Sequence, residues 1–329
     1  MLPDGRRLGA HLLLGGGMVA AVERAQAIGL DTLQIFSDNP TAWRRRAEPP
    51  RELAAYRTCL ADYGLGPIAI HAAYLVNLAG PDEAFHGQSV DVLRHELAVA
   101  PSFGARFVNV HMGSHKGTGL EDGIERIAAG IATALADVPA GPDAAVLVLE
   151  NSAGGGGGIG VDVGEIATLL GAIAARGIAP ERVALCLDTA HLWGAGHPID
   201  TADGVDRLVG ELADRVGLER LVMIHLNDSK ATFGSRMDRH EHLGAGAIGA
   251  AGLARILTHP DLRHVTYYLE TPGMDKGYDA VNAARAHDLA EGRPLAILPP
   301  EAMDLPGSRA RTGPSVEPKV ALESGELAG

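Results

Sequence analysis

The sequence predicts an α/β chain of the (β/α)8 TIM-barrel class, folded as a single domain over residues 1–298. Two observations carry this expectation. Short apolar, β-leaning runs alternate with longer periodic runs eight times within roughly 285 residues, which suits one closed barrel better than two separate sheets. The third to the eighth of the short runs also end in histidine, aspartate or glutamate. In such a barrel the C-terminal strand ends converge on one mouth, where active sites lie.

Taken in order, the predicted strands cover residues 8–14, 32–36, 68–71, 107–111, 146–150, 183–188, 221–226 and 265–270. Their following helices are expected at 18–28, 51–63, somewhere within 89–103, then 123–136, 163–176, 203–216, 251–259 and 279–289. Gly29 and Gly64 stand where the first two helices should stop, because glycine accepts the left-handed conformation of a helix end. After Leu298 the composition turns to Pro, Gly, Ser, Glu and Ala without periodicity, so residues 299–329 are expected to form a disordered tail.

With 46% hydrophobic residues in 329, the chain can build a sizeable core. A net charge of -13 excludes a protein that coats nucleic acid through overall basicity, although it leaves a local basic patch open. Cys59 and Cys186 fall in different predicted elements and in no CxxC pair, which points to a reducing, cytoplasmic setting rather than a disulfide framework. Arg6 and Arg7 ahead of an apolar stretch imitate an export signal, but His11, the glycines at 15–17 and Glu23-Arg24 interrupt it. No apolar run reaches the roughly 18 residues of a membrane span. The glycine run at 154–158 lacks the Gly-Lys-Ser/Thr ending of a phosphate-binding loop, so no nucleotide cofactor is expected. Nothing demands a dimer, and a monomer is expected.

The chemistry is organised around residues 224–244, IHLNDSKATFGSRMDRHEHLG, which hold three histidines and three acidic residues and are expected to lie outside the core. The strand-end residues are His71, His111, Glu150, Asp188, His225 and Glu270. Gathering them at one mouth would be very unfavourable without cations. His191, three after Asp188, could join Asp238 and His240, whose side chains leave an extended backbone on the same side, to hold one more ion. Mixed imidazole and carboxylate donors suit Zn²⁺, with Mn²⁺ or Fe²⁺ as substitutes, and the lack of cysteine ligands favours a catalytic site. Several ions close together suit hydrolysis of a phosphate ester, because they can hold a bridging hydroxide and clamp attacking and leaving oxygens. Sugar isomerisation needs fewer. His11, His115 and His242 are candidates to orient ligands, whereas His86, His95, His259, His264 and His287 read as surface residues.

Six segments resemble the endonuclease IV family of apurinic/apyrimidinic endonucleases: HAAYLVNL (71–78), VNVHMGSH (108–115), LENSAGGGGGIG (149–160), LDTAH (187–191), HLNDSKATFGSRMDRHEHLG (225–244) and LETP (269–272). The resemblance spans residues 8–290. It implies a TIM barrel with three zinc ions. His71 and His111 would hold one, and Glu150, the catalytic carboxylate, would bridge it to a second held by Asp188, His225 and Glu270. His191, Asp238 and His240 would hold the third.

The same resemblance implies base excision repair on double-stranded DNA. Cleavage 5′ to an abasic site would leave a 3′-hydroxyl and a 5′-deoxyribose phosphate, and blocked 3′ ends would be trimmed. Tyr74 and Leu75 match the family's minor-groove wedge, although by composition alone they read equally well as packing residues. Lys116, Lys230, Arg236 and Arg239 are expected to meet phosphates. Thr41 stands where many members have an arginine that reaches the DNA, leaving Arg44, Arg45 or Arg46 as substitutes. The loops HLLLGGG (11–17) and HLGAG (242–246) also depart, lacking a serine and an acidic residue respectively. The rival readings are a metal-dependent sugar isomerase or epimerase on a xylose-isomerase-like barrel, holding one or two ions, and a non-catalytic lesion-binding protein.

Overall fold

Runs such as Val146–Glu150 (VLVLE) and Val183–Asp188 (VALCLD) are buried along their whole length, as strands covered on both faces must be. The structure is a computed structural model describing residues 1–303 and residue 305. Its strands are β1 (Leu8–His11), β2 (Thr32–Ile35), β3 (Ile68–His71), β4 (Ala105–His111), β5 (Val146–Glu150), β6 (Val183–Asp188), β7 (Leu221–His225), β8 (Asp228–Ser229), β9 (His240–Glu241) and β10 (Thr266–Leu269). All but β8 and β9 pair in parallel into a closed barrel of order β1-β10-β7-β6-β5-β4-β3-β2, as the alternating pattern predicts. The pair β8 and β9 forms a small antiparallel ribbon.

The helices are α1 (Met18–Ala27), α2 (Leu53–Tyr63), α3 (Glu83–Phe103), α4 (Leu120–Ala136), α5 (Val163–Ala174), α6 (Thr189–Ala195), α7 (Ala202–Arg215), α8 (Gly249–Thr258) and α9 (Asp279–Glu291). None of the described helices is long and apolar enough to cross a membrane. The longer ones turn apolar faces such as Val205, Leu208, Val209 and Leu212 of α7 inward.

Inside the barrel, Ala69, Phe107, Val148, Cys186, Met223 and Tyr268 form a separate buried cluster. Ala69, Val148, Cys186, Met223 and Tyr268 each stand two residues before His71, Glu150, Asp188, His225 and Glu270. Because side chains alternate along a strand, the register that fills the barrel with apolar groups also turns the residue two further on into the mouth. Gly9 of β1 belongs to this economy of space: a Cβ there would lie 2.6 Å from Thr32 Cγ2, so only glycine lets β1 approach β2.

Five sequence expectations change. β1 stops at His11, and β10 stops at Leu269, so Glu270 is the first residue beyond its strand. Helix α3 begins at Glu83, well before residue 89, where the Asp82 side chain accepts from Phe85 N at 2.9 Å and caps it. Residues 224–244, expected outside the core, contribute buried Asn227, Asp228, Ser229, Glu241 and His242. Asp228 is accommodated because its carboxylate accepts from the N–H groups of Ser229, Gly246, Ile248 and Gly249. His259 is buried too, its Nδ1 accepting from Asp261 N at 3.2 Å.

The expected tail also starts later than residue 299. Pro300–Ala302 form a short 3-10 turn whose Ala302 is fully buried. The remainder of the expected tail, residues 306–329, and residue 304 lie outside the described residues.

Candidate metal centre

The six strand-end residues converge as their register requires. His71, His111 and Glu150 bring one donor atom each within 4.8 Å of one another. Glu150, Asp188, His225 and Glu270 make a second such group, and Asp188, His191 and His240 a third. Glu150 lies between the histidines: its Oε2 is 3.6 Å from His71 Nε2 and 3.9 Å from His111 Nε2, while its Oε1 is 3.3 Å from His225 Nδ1. His225 Nδ1 is also 3.3 Å from Glu270 Oε2 and 3.9 Å from Asp188 Oδ2. Asp238 Oδ2 lies 3.2 Å from His191 Nε2, and its Oδ1 lies 3.0 Å from His240 Nε2. Asp188 Oδ2 stands 3.4 Å from that same His240 nitrogen, so Asp188 faces both the second and third groups, a placement the spacing did not suggest.

Most of the imidazoles are held by one nitrogen so that the other faces the centre. His71 Nδ1 donates to Ala72 O at 2.7 Å, His191 Nδ1 to Asn151 O at 2.9 Å and His240 Nδ1 to Glu270 O at 2.9 Å. His225 is turned the other way, its Nε2 donating to Gln34 Oε1 at 3.0 Å and leaving Nδ1 inward. Such outer hydrogen bonds fix both tautomer and ring direction.

The carboxylates are held similarly. Asn109 donates to Glu150 Oε2 at 2.5 Å, Asn227 to Asp188 Oδ2 at 2.7 Å and Gln34 to Glu270 Oε1 at 2.6 Å. These amides were missed in the sequence. Gln34 and Asn109 carried a signal, as polar residues inside the apolar runs TLQIF and FVNVH. Of the expected orienting histidines, His11 places Nδ1 3.1 Å from Glu270 Oε1. His115 instead accepts from Gly117 N and Gly119 N, and His242 bonds to Asn282 and Ala302.

Electrostatics show what the cluster lacks. Burial opposes ionisation of Glu150, yet His111 and His225 hold its carboxyl well below the usual range. Burial likewise opposes a charged Asp238, and His191 and His240 outweigh it. His191 and His225 are pushed well above the ordinary imidazole value although burial opposes it, His191 by Asp188 and Asp238, His225 by Cys186 and then by Glu270 and Glu150. His240 is raised to about 10, burial being outweighed by Asp238 and Asp188. Protons thus compensate the carboxylates where cations could. Asp238 Oδ1 and His240 Nε2 lie buried 3.0 Å apart without a well-formed hydrogen bond, which leaves both atoms able to take a cation. The donor set, oxygen and imidazole nitrogen without sulfur, fits divalent zinc or manganese.

Around the mouth, Tyr74 is 61% exposed, with its ring 5.0 Å from Phe36 and 5.8 Å from His71. Leu75 beside it is half-buried. Tyr74 borders a cavity of about 640 Å³ that Leu12, Leu13, Phe36, Pro40 and Arg46 also line. Lys116, Arg236 and Arg239 are exposed. Lys116 and Arg236 hold left-handed backbone, at φ 51 and 58, which non-glycine residues adopt rarely. Lys230 departs from its expected role, because its ammonium sits 3.4 Å from both Glu241 Oε2 and Leu305 O. Arg45 departs as well, pairing with buried Glu96 at 3.2 Å and donating to Asn39 O and Ala42 O. Arg46 leans on Asp38, while Arg44 is exposed and makes no ion pair among the described residues.

A family model described as the xylose isomerase-like TIM barrel matches residues 22–292. A probable endonuclease 4 of Methanoculleus marisnigri is 39% identical over 283 residues, spanning 86% of this chain and 98% of the relative. A probable endonuclease 4 of Halorhodospira halophila is also 39% identical, over 271 residues, 82% of this chain and 90% of the relative. The crystal structure of endonuclease IV from Thermus thermophilus superposes with a TM-score of 0.73 at 37% identity, covering 85% of this chain and 98% of that one. A D-tagatose 3-epimerase-like protein, at 15% identity and a TM-score of 0.60 over 83% of this chain and 94% of its own, shares the barrel alone. With barrel, motifs and relatives in agreement, the chain belongs to the endonuclease IV family.

Proposed function

We propose that the chain is a zinc-dependent apurinic/apyrimidinic endonuclease of base excision repair, cutting double-stranded DNA on the 5′ side of an abasic site and removing 3′ blocking groups. It acts as a cytoplasmic monomer without a nucleotide cofactor. The observation that carries this reading is the gathering of three donor groups around Glu150 and Asp188. His71, His111 and Glu150 would hold one ion, Glu150, Asp188, His225 and Glu270 a second, and His191, Asp238 and His240 a third, with Mn²⁺ able to replace Zn²⁺. Metal bound there would supply Lewis acidity to a water and to the phosphate.

The chain's own residues do the remaining work. Gln34, Asn109 and Asn227 fix the ligand directions, so little reorganisation is left for the moment of reaction. Phe107 and Tyr268 close the barrel beneath the mouth and limit entry to one side. Lys116, Arg236 and Arg239 contact phosphates, which position the duplex without reading its sequence. Tyr74 and Leu75 occupy the stacking gap beside the displaced abasic sugar. Hydrolysis breaks the bond between phosphorus and the 3′-oxygen of the preceding nucleotide, giving a 3′-hydroxyl and a 5′-deoxyribose phosphate. A sugar isomerase is not favoured: enolising a sugar needs no third group such as Asp188, His191 and His240.

The test is a duplex with one tetrahydrofuran abasic analogue. Scission that a chelator suppresses and that Glu150→Gln abolishes is expected. An intact strand at high enzyme concentration, with zinc supplied, overturns the reading.

A further inference from the structure

The family match ends at residue 292, yet the chain continues as a strap described over residues 293–303 and residue 305. Donor side chains around the ribbon of β8 and β9 grip this strap by its carbonyl oxygens. Arg285 donates to Ala296 O and, at 2.5 Å, to Leu243 O. His242 Nε2 donates to Ala302 O at 3.1 Å, and Lys230 Nζ lies 3.4 Å from Leu305 O and from Glu241 Oε2.

His242 is itself fixed, since Asn282 Nδ2 donates to its Nδ1 at 2.8 Å while Asn282 Oδ1 accepts from Leu243 N at 3.1 Å. The fit is close: a Cβ on Gly244 would meet Leu295 Cδ1 at 2.4 Å. Lys230 and His242 adjoin the ligands. Lys230 N donates to Arg239 O at 2.9 Å, and Glu241, His242 and Leu243 directly follow His240.

A two-residue ribbon has little stability of its own, because short isolated strand pairs are marginal in water. Asp238 is half exposed at its end. We propose that the strap, residues 293–303 with residue 305, is a positioning element that this chain adds beyond the family match, holding the ribbon so that Asp238 and His240 keep the geometry of the third ion site. His242 and Ala302 are its central contact. The proposal rests on the reading of Asp238 and His240 as metal ligands, and its test separates the two.

Ala302→Arg in the full chain forces a long cation into a fully buried position and lifts the strap. His242→Leu removes the donor from the ribbon side, and His242→Gln restores one. Two readouts are taken. In metal-free protein, amide exchange at Lys230, whose N–H is bonded within the ribbon, should quicken at least tenfold in Ala302→Arg and His242→Leu and return toward wild type in His242→Gln. In zinc-loaded protein dialysed against graded chelator, both disruptive variants should lose one ion at chelator concentrations about 10- to 100-fold lower than wild type, while the other ions stay.

Wild-type exchange together with wild-type ion retention in Ala302→Arg overturns the strap. Should that variant fail to fold by circular dichroism, His242→Leu decides the same question. Should wild type itself hold no third ion, the ligand reading fails and the exchange comparison alone decides whether the strap positions the ribbon.

Discussion

Gln34 Oε1 lies 3.0 Å from His225 Nε2, and the same side chain's nitrogen lies 2.6 Å from Glu270 Oε1. One buried amide thus aims two ligands of the second donor group. Replacing it with Gln34→Leu keeps the volume roughly constant but leaves a buried imidazole N–H unsatisfied, at a cost of about 1–3 kcal/mol. We expect zinc affinity to fall about 10- to 100-fold, with activity recovering in excess zinc. Chelator competition on the folded variant measures this, and unchanged retention would mean that His225 is aimed by other contacts.

Metal loading should release protons. Without ions, His191 and His225 titrate well above 6.5 and His240 near 10. A raised imidazole contributes stability that is present below its unfolded value and lost as pH rises through the folded one. Glu150 and Asp238, depressed below 4.5 and 3.8, contribute stability present above those values and lost as pH falls. Metal-free protein should therefore weaken as pH rises from 7 toward 10, and zinc-loaded protein much less. At pH 8, zinc binding displaces protons from His191, His225 and His240, so calorimetry in buffers of different ionisation heat should show about three protons released. Fewer than one would contradict the protonated metal-free cluster.

The barrel and the convergence of its six strand-end residues were legible in the sequence because each stands at or just past the end of an apolar run, and the strand register that buries Val148 or Met223 also turns Glu150 or His225 toward the mouth. What was not legible has no period to show. Helix α6 is seven residues long and buried on nearly every side, so no amphipathic pattern marks it, although it carries His191. Its N-terminus is set by Asp188, whose Oδ1 accepts from His191 N at 2.9 Å while Oδ2 faces His240. The burial of Asp228 depends on backbone N–H groups up to 21 residues away, which composition cannot reveal. Lys230 and Arg45 read as free cations because their partners, Glu241 and Glu96, are brought to them only by the fold.

Tyr74 offers an exposed ring 5.8 Å from that of His71, a candidate metal ligand, without itself belonging to a donor group. Base–aromatic stacking is worth about 1–3 kcal/mol, so Tyr74→Ala should weaken binding to abasic duplex roughly 5- to 150-fold. The loss belongs mainly in KM, since the ligand geometry is untouched, and zinc content should equal that of wild type. A fall in kcat with unchanged KM would assign Tyr74 to the chemistry instead.

The arginines after β2 divide by their surroundings. Arg45 is buried against Glu96, whose carboxyl also accepts from Ser37 Oγ and is pushed upward by burial despite both partners. Arg45→Ala leaves that carboxylate buried and unpaired, and breaking such pairs costs about 3–5 kcal/mol, partly relieved here by protonation. It should lower the melting temperature by several degrees, more at pH 8 than at pH 5, because the folded form then favours a protonated Glu96. Arg44 is exposed and unpaired among the described residues, so Arg44→Ala should leave stability within about 0.5 kcal/mol of wild type. If it stands in for the arginine missing at Thr41, the slope of log binding constant against log salt should fall by about 1 with the abasic duplex. An unchanged slope would remove Arg44 from the DNA contact and leave Arg46, which leans on Asp38, as the next side chain to change.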